Sequence, residues 1–261
     1  MEYTGSEILL KQQFDSLHDK WRSHLINSID DIEKRKLIPE LYIPDGFYPE
    51  YTRQKFKILF IGKEGLQLLG NDYLENLFEA YHKKYIGDTD PTHINQYQFH
   101  YTMIYIAYAL QNGIYKWEDI PWASEIVDNF GIPGGFSFAF MNLSKFSNES
   151  GNWKADEELI DTFLRLSQNP DYDFFAQAVN ILDPGLIISM NLEDRMKYMG
   201  TFSDFKRYGK NDMDVCFQTL TTSLGKKYTL LDTWHFSAPG KSPKRDIFER
   251  VMEALKDNKI I

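Results

Sequence analysis

The chain has very little cysteine and no long run of apolar residues. Cys216 is the single cysteine in 261 residues, which excludes a disulfide framework and a cysteine-based zinc site. No apolar run approaches the ~20 residues that cross a bilayer. The first seven residues lack the basic start and apolar core of a signal peptide. We therefore expect a cytoplasmic protein that does not enter a membrane.

The sequence also lacks a general excess of positive charge. Its net charge is −9, which argues against a protein coated with basic residues for nucleic acid. Two segments depart from this average. Residues 225–250 hold six Lys/Arg and three Asp/Glu, and residues 197–210 hold four Lys/Arg and one Asp/Glu. Each segment therefore has a net charge of +3. Such segments are typical of sites for phosphate-bearing ligands, although an ordinary solvated surface would have the same charge.

The composition favours one domain with a substantial core. Hydrophobic residues make up 43% of the chain and aromatic residues 15%. We predict a single domain over residues 1–261, with a helical extension and connector in residues 1–55 and an α/β core in residues 56–261. Apolar residues that recur at steps of three and four predict a helix over residues 6–36. These apolar residues are Phe14, Leu17, Trp21, Leu25, Ile29 and Ile32. Residues 38–51 contain three prolines and a glycine, which indicates an ordered connector.

Four short apolar segments indicate the strands of the core. They occupy residues 56–61, 136–141, 186–190 and 228–231, and helical patterns separate or follow them at residues 71–111, 155–182 and 243–256. This order predicts an α/β fold of three layers, with a central, mostly parallel, four-stranded sheet covered by helices on both faces. Ligands of such sheets bind beyond the carboxyl ends of the strands.

Polar residues follow all four predicted strands. The first strand leads into Gly62, Lys63, Glu64 and Gly65, in which the glycines would let backbone amides approach a ligand. Asn142 follows the second strand and could pair with the edge of uracil or thymine, or simply cap a turn. After the fourth strand comes His235, an imidazole that can donate, accept or titrate near neutral pH. We expect Asn191, which ends the third strand, on the same rim.

The sequence does not predict a metal site or a cofactor. His82, His93 and His100 are separated by eleven and seven residues, which matches no compact metal motif on one helix. The run Gly240, Lys241, Ser242 ends like a nucleotide-binding P-loop. The full motif also needs a glycine five positions before Gly240, where this chain has His235, so the sequence disfavours this interpretation.

Three short motifs, in this order along residues 56–261, resemble those of the uracil-DNA glycosylase superfamily. Residues 61–65 (IGKEG) resemble its first motif, a glycine-containing loop after the first strand. Residues 140–143 (FMNL) resemble the second-strand segment whose Asn recognises uracil. Residues 235–239 (HFSAP) resemble the motif whose His assists departure of the base.

The resemblance implies a DNA N-glycosylase acting on uracil or a related base. Glu64 would stabilise the sugar cation and orient water, and His235 would donate to the base carbonyl. Asn142 would read the base edge once the nucleotide has been flipped from the stack. Ser237, Lys241 and the amides of Gly62, Lys63 and Gly65 would hold the sugar and the flanking phosphates. Tyr73 and Phe78 are candidates for stacking on the base.

Two departures from the family pattern leave an alternative open. Gly65 and Phe236 stand where family members usually have proline, and Ala238, Pro239 and Gly240 offer no apolar wedge to replace a flipped base. A non-catalytic homologue that binds a nucleotide, a nucleic acid or a protein partner would share the fold without cutting DNA. The acidic net charge agrees with that alternative.

Overall fold

The structure, a computed structural model, describes residues 1–28, 42–68, 71–87, 90–151, 154–210 and 214–261. In these ranges the chain forms a seven-stranded mixed sheet and a separate two-stranded hairpin. The strands in chain order are β1 (Gly46–Phe47), β2 (Ile58–Gly62), β3 (Tyr85–Ile86), β4 (Thr92–His93), β5 (Ala139–Asn142), β6 (Leu186–Met190), β7 (Thr201–Tyr208), β8 (Val215–Thr221) and β9 (Lys227–Thr233).

The strand order of the large sheet is β1-β5-β2-β6-β9-β8-β7. Its centre consists of β5, β2, β6 and β9, which are mutually parallel. These four strands correspond to the four predicted ones, and the α/β class is confirmed. The predicted number of strands is wrong, because β1, β8 and β7 extend the sheet as antiparallel strands at its two edges.

Helices cover both faces of the sheet. They are α1 (Gly5–Ser28), α2 (Tyr73–Lys83), α3 (Gln98–Asn112), α4 (Ala123–Ile126), α5 (Glu157–Leu166), α6 (Phe174–Leu182) and α7 (Glu249–Asp257), and a π-helical turn (Pro243–Phe248) leads into α7. One apolar core joins α2, α3 and α7 to one face of the sheet, and a second joins α1, α5 and α6 to the other. None of the described helices is both long and apolar enough to cross a membrane.

Two predicted helices differ from the observed ones. The segment at residues 71–111 is not continuous, since α2 ends where Lys84 adopts a left-handed φ of 64° and the β3–β4 hairpin follows before α3 begins. The predicted helix over residues 6–36 agrees with α1 up to Ser28. Its remainder, with Ile29, Ile32 and the first part of the connector, lies outside the described residues.

Trp21 fixes α1 to the rest of the protein. Its side chain is completely buried, stacked on Phe174 at a centroid distance of 5.2 Å and edge-on to Phe175 at 4.8 Å. Its indole N–H donates to Ser167 Oγ at 2.9 Å. Because Ser167 follows α5 and the two phenylalanines begin α6, this one side chain joins three helices.

The two edges of the sheet differ. At one edge, β1 contributes only two residues. At the other, β7 has eight residues, and its pairing with β8 shifts between Ser203 and Lys206, where Asp204 takes a φ of 60°. This irregularity is a bulge, which twists an edge strand away from regular pairing.

Candidate functional site

The path of the chain through the sheet defines a crevice. The chain passes from β2 to its neighbour β5, and then crosses back to β6 on the other side of β2. Such a reversal opens a crevice beyond the carboxyl ends of the strands, where ligands of α/β proteins bind. Gly62 and Asn142 end β2 and β5 at this rim, and the loop that carries His235 follows β9.

Asn142 lies directly against Gly62. The two residues pair in register, and a Cβ added to Gly62 would stand 2.7 Å from Asn142 Oδ1 and 3.1 Å from Phe140 Cζ. Any side chain at position 62 would crowd the amide in this placement. Asn142 is only 4% exposed, and its hydrogen bonds to Asp45 and Lys145 use the backbone N–H and carbonyl and not the side-chain amide. The second glycine of the loop, Gly65, leaves room for Leu68 and Ile43 in the same way.

His235 is held in one tautomer by the loop that carries it. Its Nδ1 accepts from the backbone N–H of Ser237 at 3.3 Å and lies 2.8 Å from Ser237 Oγ. A backbone N–H can only donate, so Nδ1 is the unprotonated nitrogen and the proton resides on Nε2. Burial, with a smaller contribution from the Lys63 charge, lowers the pKa of His235 to about 4. At neutral pH the ring is therefore an uncharged N–H donor.

The protonation state of His235 gives a prediction that can be tested without a ligand. We expect its ring nitrogens to titrate near pH 4 in long-range ¹H–¹⁵N NMR spectra, with Nε2 protonated at pH 7. Lys63→Met should raise this pKa, because the nearby positive charge disfavours the imidazolium. Lys83→Met, at an exposed position paired with Glu79, serves as the control and should leave it unchanged. A wild-type midpoint near 6.5 would contradict desolvation of the ring.

Phe99 connects His235 to the strand that carries Asn142. Its ring is stacked on the imidazole with centroids 5.3 Å apart and planes inclined by 26°. The same ring contacts Phe140 edge-on at 6.2 Å, and Tyr73 stacks on the other side of Phe140 at 4.8 Å. Phe99, Phe140 and Tyr73 form an aromatic wall that extends from His235 to β5, the strand that carries Asn142. The sequence did not point to Phe99, whose only signal was its position in the first turn of a helix that follows a loop.

The two aromatics named from the sequence lie in different surroundings. Tyr73 belongs to the aromatic wall. Phe78 instead packs on His82, with centroids 4.4 Å apart, and on Tyr48 in the core. A pocket of about 240 Å³ opens beside the wall. It is lined by Thr92, Gln96, Tyr97, Gln98, Phe99 and Ser237.

The Glu64 carboxylate is engaged at the start of α5. Its Oε1 accepts from Asn148 Nδ2 at 2.9 Å and from the backbone N–H of Asp156 at 2.8 Å, just before α5. Its Oε2 is buried and has no hydrogen-bond partner among the described residues. Burial raises the pKa of this carboxyl group. The structure brings Asn142 and His235 to one aromatic wall but gives no contact of Glu64 with either, and the catalytic role of Glu64 stays a prediction.

The two cationic side chains among the predicted binding residues are already paired. Lys63 Nζ is 3.3 Å from Glu157 Oε1. Lys241 Nζ lies 3.7 Å above the Trp234 ring and 3.4 Å from Asp214. In the basic segment around His235, further ion pairs are Lys226 with Asp183, Lys244 with Glu118, Arg245 with Asp246 and Arg250 with Glu253. The local charge of +3 is therefore largely neutralised by residues from elsewhere in the chain.

The three spaced histidines have separate surroundings. His100 is buried, its Nδ1 lies 2.9 Å from the Tyr81 hydroxyl, and burial lowers its pKa to about 3. His82 bonds to the Phe78 carbonyl, and His93 packs edge-on against Tyr85. In the described ranges, no group of three or more His, Cys, Asp or Glu side chains is placed to hold a metal ion.

Comparison with known proteins gives no relative for this chain. No protein-family model, no curated protein and no solved structure matches it.

Proposed function

We propose that this protein is a divergent uracil-DNA-glycosylase-like enzyme that hydrolyses the N-glycosidic bond of uracil or a related base in DNA. The observation that carries the proposal is the neutral His235, which has its proton on Nε2 and shares an aromatic wall with Asn142. Asn142 ends one central parallel strand and His235 follows another, as the motif resemblance requires. The three-layer arrangement of helices around these strands agrees with the same family.

The proposed chemistry depends on the charge that develops as the bond breaks. The departing base becomes negative and the sugar positive. The Nε2–H of His235 would donate to a base carbonyl oxygen, and the Lys63 charge, close enough to affect the His235 pKa, favours the same anion. A neutral donor fixed in advance needs no reorganisation when that charge appears.

Base recognition would fall to Asn142 and the aromatic wall. The amide presents one acceptor and two donor hydrogens, which match the adjacent N–H and carbonyl of a uracil edge. The contact with Gly62 fixes the side of the crevice on which this amide stands. Phe99 offers a stacking surface next to His235, and stacking on aromatics is worth about 1–3 kcal/mol per base.

Glu64 would act on the sugar side after a change of rotamer. In this structure its carboxylate is bound at the start of α5 by Asn148 and Asp156. Breaking these two hydrogen bonds would free the carboxylate to face the sugar cation and to orient water. Substrate binding would have to supply the energy for that movement.

The proposal is tested with uracil-containing single-stranded and double-stranded DNA, followed by alkali to reveal abasic sites. We expect cleavage at uracil and none in matched thymine DNA. Glu64→Gln should slow base release because the amide cannot offset a positive charge, whereas Glu75→Gln, at an exposed position on α2, should not. Absence of cleavage by the wild-type protein, or equal rates for wild type and Glu64→Gln, would overturn the catalytic assignment.

A homologue that binds without cutting is the second candidate. Two observations favour it, namely the engaged carboxylate of Glu64 and the paired cations around His235. Its occupant would be a nucleotide, a nucleic acid or a protein partner. Binding of uracil-containing DNA by fluorescence anisotropy, without any abasic product, would support this candidate over the enzyme.

A further inference from the structure

We infer that Lys145 and Asp45 are positioning residues that clamp the main chain of Asn142 and thereby determine which base edge the site accepts. The second half of this inference rests on the proposed function, and the first half does not. The structural observation is a buried ion pair, Asp45 with Lys145, that contacts the backbone of Asn142.

The clamp holds both polar groups of the Asn142 backbone. The Asn142 N–H donates to Asp45 Oδ2 at 2.8 Å, and the Asn142 carbonyl accepts from Lys145 Nζ at 2.6 Å. Lys145 Nζ also donates to Asp45 Oδ2 at 2.6 Å, which closes a ring of three hydrogen bonds. Both charged side chains are only 1% exposed.

The position of Asn142 in the sheet explains why these contacts are needed. On one side, β5 pairs with β2 as far as Gly62 and Asn142. On the other side, β1 pairs only with Ala139 and Phe140, so the last residue of β5 has no strand partner there. Asp45 and Lys145 provide the acceptor and the donor that a neighbouring strand would have provided.

The clamp is itself held from the N-terminal region. Asp45 immediately precedes β1, and the His18 ring of α1 lies 3.4 Å from Asp45 Oδ1 and 2.7 Å from the Tyr42 hydroxyl. Lys145 Nζ also stands 5.3 Å from the centre of the Trp21 ring. Burial alone would raise the pKa of Asp45, but Lys145 and His18 outweigh it and keep that pKa below its usual range. The N-terminal region therefore contributes to the base-reading end of β5.

A fixed backbone matters because the side chain of Asn142 is short. Any movement of its main chain therefore displaces the side-chain amide by a similar distance. A misplacement of ~1 Å in a positioned group can reduce rates on the order of 100-fold. Removing the ammonium of Lys145 leaves the backbone carbonyl of Asn142 without its donor. The side-chain amide of Asn142 can then adopt other orientations. Selection between uracil, with N–H and carbonyl adjacent, and cytosine, with the reverse pattern, should then be lost.

The test compares Lys145→Met with the double variant Asp45→Asn/Lys145→Met. Lys145→Met leaves the buried Asp45 carboxylate without its lysine partner and should lower the melting temperature. The double variant removes both charges and keeps similar side-chain volumes, so its melting temperature should return most of the way to that of the wild type. Both variants lack the donor to the Asn142 carbonyl. A purely structural role predicts that the double variant recovers base selection together with stability, whereas positioning predicts that selection stays lost.

Two readouts separate the two halves of the inference. The first is the side-chain amide NMR signal of Asn142, expected as one sharp pair in the wild type and as broadened or multiple pairs in both variants. The second is the ratio of uracil to cytosine affinity from NMR titration with the free bases, expected to fall on the order of 100-fold in both variants. Glu7→Ala, which removes a buried carboxylate bonded to the Glu50 and Thr52 amides, should lower stability without changing either readout.

Each outcome decides one statement. Unchanged Asn142 signals in Lys145→Met overturn the clamp, whatever the protein binds. Altered signals with an unchanged affinity ratio overturn the role in base selection. A wild-type protein that binds neither base and cleaves no uracil DNA overturns the proposed function and the base-selection half, while the NMR signals still decide the clamp.

Discussion

His235→Ala is expected to lower the rate of uracil release by roughly 100- to 1,000-fold, the usual effect of removing one preorganised donor to a developing anion. The alanine variant loses the Nε2–H that the Ser237 backbone fixes in place. It also opens space beside Phe99, which now stacks on the imidazole. Single-turnover release of uracil from a labelled oligonucleotide measures the effect directly.

The control for this variant is His82→Ala. His82 bonds to the Phe78 carbonyl on α2, outside the aromatic wall, and its removal should leave the rate unchanged.

The wild-type rate should also show no inflection near pH 6.5, because the pKa of His235 is lowered to about 4 and the ring remains neutral above pH 5. An inflection near 6.5 that disappears in His235→Ala would show that the ring titrates normally and would contradict the neutral-donor mechanism.

Trp21→Ala is expected to lower the free energy of unfolding by about 3–5 kcal/mol. The substitution leaves a cavity between α1, α5 and α6 and removes the donor to Ser167 Oγ. Because Ser167 is also buried, its hydroxyl would lose its partner in the same step. Chemical denaturation followed by far-UV circular dichroism gives the difference.

Two further substitutions provide stabilities with which that of Trp21→Ala can be compared. Trp21→Phe keeps a ring against Phe174 and should cost less than Trp21→Ala. Trp122, whose side chain is 63% exposed, should tolerate alanine within about 0.5 kcal/mol. Equal stabilities of Trp21→Ala and Trp122→Ala would mean that α1 contributes little to the folded protein in solution.

Buried strands were predictable from the sequence because their apolar runs are nearly continuous. All five residues of β2 are buried, and so are all five of β6, which is typical of parallel strands covered on both faces. The β7–β8 hairpin gave no such signal. Five of the eight residues in β7 are consecutive exposed residues from Ser203 to Arg207, so neither a continuous apolar run nor an alternation marks this strand.

The rim of the candidate site was predictable, and the orientation of its side chains was not. Strand ends predicted that Asn142 and His235 lie at one edge of the sheet, since carboxyl ends of parallel strands share an edge. The direction of the Glu64 carboxylate depends on hydrogen bonds to Asn148 and Asp156, more than 80 positions along the chain. Likewise, the pairing of Lys241 with Asp214 depends on the hairpin that the sequence did not reveal.

The two unlike edges of the sheet bear on how the protein behaves at high concentration. A two-residue strand offers too few backbone groups for another chain to extend the sheet on that side. On the opposite side, the register shift at Asp204 interrupts the row of unpaired amides and carbonyls, and exposed Lys206 and Arg207 repel a second copy of the same strand. Self-association by strand addition, the first step toward fibrillar aggregates, is therefore disfavoured at both ends of the sheet.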